Sequence, residues 1–195
     1  MRLFARLLAC AACALGATCA SCGGGKLAAE PTASALPGEA TAMPSGWKEI
    51  TSKDGGFTIW MPSEPQRDTR SKVTRNGPIA SHMLVAEQPG GVTYVAVWSD
   101  LPTASFAQSQ PDGVLDDARD AILGDRRKRL TAERPVPIRG AIARELLYKD
   151  HVATYAHRLY VVDARLIQSV VVMPTERFVA AEARAFLDSF KLVAP

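Results

Sequence analysis

Beyond residue 22 this chain of 195 residues has no cysteine. Its four cysteines, Cys10, Cys13, Cys19 and Cys22, all fall at the N-terminal end, so the rest of the chain carries no disulfide framework in any redox compartment. Catalytic signatures are also missing. Nucleophilic catalysis needs an activated Ser, Cys or Lys beside a base, and there is no Gly-x-Ser-x-Gly elbow. The run Gly23, Gly24, Gly25, Lys26 has neither the spacing nor the strand–helix context of a phosphate loop. Histidine pairs one helical turn apart are absent. His151 and His157 are separated by six residues, roughly 20 Å along a strand, which no single metal spans. His82, His151 and His157 all have polar neighbours and are expected at the surface or on strand edges. Charge of one sign is scarce too: 23 Lys+Arg against 20 Asp+Glu leave a net +3, without the clustered excess of a nucleic-acid binder. The expectation is a protein that is not an enzyme and takes no cofactor, metal or nucleic acid.

What the chain does have begins with a leader. Arg2 and Arg6 precede an apolar run over residues 7–20, shorter than the ~20 residues that a bilayer span needs. The run closes on Cys19, Ala20, Ser21, Cys22 and Gly23, and there it resembles a bacterial lipoprotein signal. In that pattern small residues precede a cysteine that receives a diacylglyceryl group and becomes the mature N-terminus. Cys19 stands where such signals usually carry an aliphatic residue, so cleavage near Ala20 by the ordinary signal peptidase is the rival, which would give a secreted protein. On spacing alone the two Cys-x-x-Cys doublets also fit a four-thiolate zinc site, but they lie five residues apart inside an Ala/Leu run, which favours the leader. No aspartate follows Cys22, so the expected address is the periplasmic face of the outer membrane.

Residues 23–46 change to Gly, Ala, Pro, Ser and Thr and cannot bury enough apolar area to offset ordering, as befits a flexible tether. A linker of about 24 residues reaches roughly 25–30 Å. Residues 47–195 then carry the pattern of one globular domain. Residues 47–50 and 57–61 predict a hairpin around Asp54, Gly55 and Gly56. Asn76 and Gly77 turn a polar segment into a strand over 79–87, and 92–98 reads as a buried strand. A helix from Asp112 to about Arg127 presents Val114, Leu115, Ala118, Ala121 and Ile122 on one side, with acids early and Arg126–Arg129 late, the order that a helix dipole favours. An antiparallel meander follows over 142–148, 152–162 and 165–173. Thr175 is expected to cap a last helix that buries Val179, Ala183, Phe186, Leu187 and Phe190. The order argues an α+β fold with helices covering an antiparallel sheet.

Five segments in this order, 57–62 (FTIWMP), 116–119 (DDAR), 140–145 (GAIARE), 158–165 (RLYVVDAR) and 186–192 (FLDSFKL), carry a resemblance to PsbP-like domains. These are relatives of the extrinsic subunit of the oxygen-evolving photosystem. The resemblance runs from Trp47 to the C-terminus and implies an αβα sandwich with a central antiparallel sheet of about six strands. Members from photosynthesis bind a manganese- and calcium-dependent membrane complex, yet the fold by itself fixes no activity. No functional residue is carried over, because the metal- and partner-contacting segments of that subunit have no match here.

Arg144, Glu145, Arg158 and Arg165 interrupt otherwise apolar strands and are the surface-binding candidates. They make either an anion-binding patch or a cross-strand ion pair, Glu145 with Arg158. The function expected is a membrane-tethered interaction or assembly module of the cell envelope with an unidentified protein partner. The alternative is a carrier of a small ligand or metal, with a pocket between sheet and helix.

Overall fold

The computed structural model describes residues 42–74, 77–102, 110–124 and 129–193. The leader, Cys22 and residues 23–41 of the tether lie outside them, as do Asn76 and three of the four late basic residues of the first helix, Arg126, Arg127 and Lys128. Among the described residues no helix is long and apolar enough to cross a membrane.

The N-terminal hairpin forms as its alternation requires. β1 (Lys48–Ser52) pairs antiparallel with β2 (Phe57–Met61), which buries Phe57, Ile59 and Met61 on one face. The turn is packed tightly: the Gly55 N–H donates to Ser52 Oγ at 3.1 Å, and both sit against the fully buried Phe57 ring. A Cβ on Gly55 would enter the van der Waals envelope of Phe57 and lie 2.6 Å from Ser52 Oγ. Gly55→Ala is therefore expected to lose about 1–3 kcal/mol, read as a lower urea midpoint at unchanged slope.

The larger sheet is built from β3 (Gln66–Thr74), β4 (Gly77–Gln88), β5 (Val92–Asp100), β6 (Leu130–Val136), β7 (Ile142–Lys149), β8 (Ala153–Val162) and β9 (Arg165–Pro174). Its order is β3-β4-β5-β9-β8-β7-β6, antiparallel throughout. The central sheet thus has seven strands, in keeping with the expected sheet of about six. The strand that sequence reading missed is β6, where Pro135 and two charges interrupt the apolar pattern. An edge position tolerates proline, since the missing N–H need not join a ladder. β8 and β9 lie at the centre and are buried on both faces.

Alternation divides the sheet's side chains between two cores. On one face Leu84, Tyr94, Ala156, Tyr160 and Val171 meet β2 and the second helix. On the other Leu146, Leu159, Leu166 and Val172 meet the first helix. That first helix, α1 (Pro111–Leu123), buries Val114, Leu115, Ala118, Ile122 and Leu123. Its N-cap position is Gln110 and Pro111 opens it, so Asp112 lies inside the first turn. The second, α2 (Ala180–Asp188), starts later than expected. Thr175 opens a 3-10 turn, Thr175–Arg177, and Val179 precedes the helix 44% exposed, outside the apolar face. Ser189 joins α2 to the hairpin: its Oγ donates to the Phe186 carbonyl at 2.6 Å and accepts the Trp60 N–H at 2.8 Å. The chain then adds β10 (Lys191–Leu192) to the free side of β2 and completes a three-stranded sheet, β1-β2-β10. The architecture is α+β, with α1 on one face of the central sheet and α2 with the small sheet on the other.

Candidate functional site

The strand registers assemble a charged row. Arg134 on β6 lies opposite Glu145 on β7, and Glu145 lies opposite Arg158 on β8. All three point to the α2 side because every second residue of a strand shares a face. Glu145 is 1% exposed, so its carboxylate depends on these partners: Arg134 Nε reaches Oε1 at 2.9 Å and Arg158 Nε reaches Oε2 at 2.7 Å. Arg158 also donates to the Leu187 carbonyl at 3.0 Å and to the Asp188 carboxylate, which fastens the C-terminal end of α2 to the sheet. Arg184, one turn earlier on α2, stands 3.6 Å from the other Asp188 oxygen. Burial opposes the charge on Arg158, yet the neighbouring Glu145 and Asp188 carboxylates hold its pKa above the ordinary value. Burial likewise pushes the Tyr160 hydroxyl up to about 12, so it stays neutral and bonds Ser169 Oγ at 3.1 Å.

The cross-strand pair of Glu145 with Arg158 is present, but it is buried and not superficial. Neither residue belongs to a surface patch. Arg144, next to Glu145, points to the opposite face. It reaches Asp116 of α1 at 2.5 Å and Glu133 of β6 at 3.0 Å, and Arg119 shares both carboxylates at 3.1 Å. Its side chain, 15% exposed, clamps α1 to the sheet. Arg165 is remote from both sets. It grips Asp100 bidentately at 2.6 and 3.0 Å and donates to the Asp54 carbonyl at 2.7 Å, which locks the central sheet to the hairpin turn. That hydrogen bonding holds the Asp100 carboxyl below the usual carboxylate range. The four candidates thus sit in three places and form no common patch. Sequence reasoning did not find Arg134, Arg184 and Asp188, because only register and helix docking bring them to Glu145 and Arg158.

Two concavities adjoin these residues. A groove of about 910 Å³ beside Arg165 has Val162, Ile167 and Leu192 as its apolar floor, and Arg139 stands on its wall. A smaller cavity of about 330 Å³ opens between α2 and the chain from Arg134 to Ile138. Among the described residues no three His, Cys, Asp or Glu side chains gather as a metal-holding group.

The histidines divide differently from expectation. His151 is exposed, and His82 stacks on Trp98 at 5.3 Å with Nδ1 3.0 Å from Thr69 Oγ1. His157 is not at a surface or edge. It is 3% exposed on the central strand β8, with Nε2 3.1 Å from Gln168 Oε1 and Nδ1 buried without a hydrogen bond. Polar sequence neighbours misled here, since β8 is covered on both faces.

The other distinctive surface is the β3–β4 hairpin. β4 meets β5 only from Ser81 onward, so residues 71–74 and 77–80 pair with each other alone, beyond the end of the sheet. β3 is exposed along nearly its whole length, and Val73, near the tip, is 82% exposed.

Layer order, sheet topology and the two helices define a PsbP-like α+β sandwich. The solution structure of the cyanobacterial PsbP, CyanoP, from Synechocystis sp. PCC 6803 aligns with a TM-score of 0.52 over 80% of this chain and 98% of that one. Identity is 9%, so the likeness concerns the fold alone. A crystal structure of PA94, a protein of unknown function from Pseudomonas aeruginosa, aligns over 68% of this chain and 85% of that one at 10% identity, and its TM-score of 0.33 bears no functional weight. No protein-family model matches the chain, and no curated protein matches it.

Proposed function

We propose that this chain is a non-catalytic interaction or assembly module of a bacterial cell envelope, tethered through a lipid on Cys22. The observation that carries the reading is the β3–β4 hairpin, which extends past the sheet with solvent on both faces and an exposed valine near its tip. A two-stranded ribbon is marginal in water by itself, and contact with a partner supplies the burial it lacks. The CyanoP likeness supports the fold of such a module. The partner is an envelope protein, and the domain is presented to it from the periplasmic face of the outer membrane.

A photo-crosslinking residue at Val73 in native cells is expected to trap one protein partner, whereas the same residue at Val152, also exposed at 47%, traps none. Cys22→Ala is expected to abolish palmitate labelling and to reduce the Val73 adduct. Absence of any adduct at Val73 under native expression would remove the docking reading, and unchanged palmitate labelling of Cys22→Ala would remove the anchor.

A further inference from the structure

The cavity beside α2 has a wall chemistry that the buried ion pairs do not exhaust. Four charged residues line it, and three are arginines: Arg134, Arg158 and Arg184, against Asp188. Glu145 lies behind the wall at 1% exposure and binds Arg134 and Arg158. Two of the arginines are themselves buried, Arg158 at 5% and Arg184 at 7%. Arg134 spends Nε and Nη2 on a single Glu145 oxygen, and its Nη1 has no partner among the described residues. The remaining wall comes from Val136, Pro137, Ile138, Leu187 and Phe190, with the Tyr160 ring among them.

Cationic groups gathered on one concave wall lower the free energy of any anion that enters, and arginines that are themselves buried are screened less by water than exposed ones. Guanidinium groups present paired donors that match a carboxylate's two oxygens. A volume of about 330 Å³ lies at the lower end of small-ligand sites. We propose that this cavity binds a small organic carboxylate with a compact apolar body. The carboxylate lies against Arg134 and Arg184, and the body lies against Leu187 and Phe190. A monoanion suits the site because Asp188 remains on the wall, and a dianion would face it. This assignment gives a chemistry to the ligand-carrier alternative. It requires neither the tether nor the hairpin, so its failure leaves the docking reading untouched.

Benzoate is the probe, titrated against the full mature chain at constant ionic strength with inorganic phosphate and chloride as comparisons. Benzoate is expected to shift the arginine Nε–H resonances of Arg134 and Arg184 saturably and to raise the melting temperature, while phosphate shifts them far less. Arg184→Gln is expected to weaken benzoate at least about tenfold, the loss of one charge-assisted hydrogen bond. Should that variant fold poorly, the wild-type resonances still decide. Unmoved resonances, equal shifts with chloride, or tighter binding of phosphate than of benzoate would each overturn the assignment.

Discussion

Replacing Arg158 with leucine is expected to destabilise the domain by about 3–5 kcal/mol, the range for breaking a buried ion pair from one side. Three groups lose a partner together: one oxygen of the buried Glu145, the Leu187 carbonyl and the Asp188 carboxylate, which keeps only Arg184. Asp188 is 29% exposed and recovers solvation from water, but Glu145 at 1% cannot, and Arg134 then holds it alone. The double variant Arg158→Leu with Glu145→Leu should regain much of the loss, since Arg134 and Asp188 then reach solvent and Arg184 keeps Asp188 beside it. Chemical denaturation of the two variants and the wild type measures both effects. If Arg158→Leu costs less than about 1 kcal/mol, the row across β6, β7 and β8 is not the fastening described. Arg119→Leu is a useful comparison, because its ion pairs lie partly in solvent, where such pairs contribute at most about 1 kcal/mol.

Acid should weaken this protein earlier than its carboxylates require, because of His157. Burial pushes its imidazole from 6.5 down to about 4, and the hydrogen bond to Gln168 opposes that only in part. The unfolded chain takes up a proton at this histidine once the pH falls below about 6.5, whereas the folded protein resists until about 4. The group's contribution is thus fully present above 6.5 and lost as the pH falls through that window. Each pH unit of the gap corresponds to about 1.4 kcal/mol, so the loss approaches roughly 3 kcal/mol near pH 4. Asp100 and Asp150, both with lowered pKa values, lose their contributions below the ordinary carboxylate range, so the two windows separate. His157→Gln keeps an amide beside Gln168 and removes the titration. Its stability should change by about 3 kcal/mol less than that of the wild type between pH 7 and pH 4. An identical acid slope in the two proteins would assign the sensitivity elsewhere.

How much of this was legible beforehand depends on the length scale of the interaction. The hairpin around Gly55 announces itself by alternation and a glycine turn, both set by nearest neighbours. The meander of β7, β8 and β9 does so as well, with turns at Asp150 and Asp163. The helical face of Val114, Leu115, Ala118 and Ile122 is equally local. β6 was illegible because its sequence is poor in apolar residues. Its strand state comes from pairing with β7, and no property of the segment alone supplies that. The capping expectation at Thr175 failed because the hydroxyl has tertiary partners, Thr154 Oγ1 and the Asp150 carbonyl, and the helix begins only at Ala180. For the site, naming Glu145 and Arg158 together needed only that charges in apolar strands require partners. Placing Arg134 beside them needed the register of β6, and placing Asp188 and Arg184 there needed the docking of α2.

The amino-acid order therefore determined the α+β class, the main strands, both helices and the demand that Glu145 and Arg158 be compensated. These follow from periodicity and from the cost of a lone charge in an apolar strand, which are properties of short segments. The tertiary structure decided depth and company. It placed His157 in the core and Arg144 and Glu145 on opposite faces, and it gathered three arginines from β6, β8 and α2 around one cavity. Residues far apart along the chain become neighbours only when sheet order and helix position are settled, so their chemistry emerges with the fold.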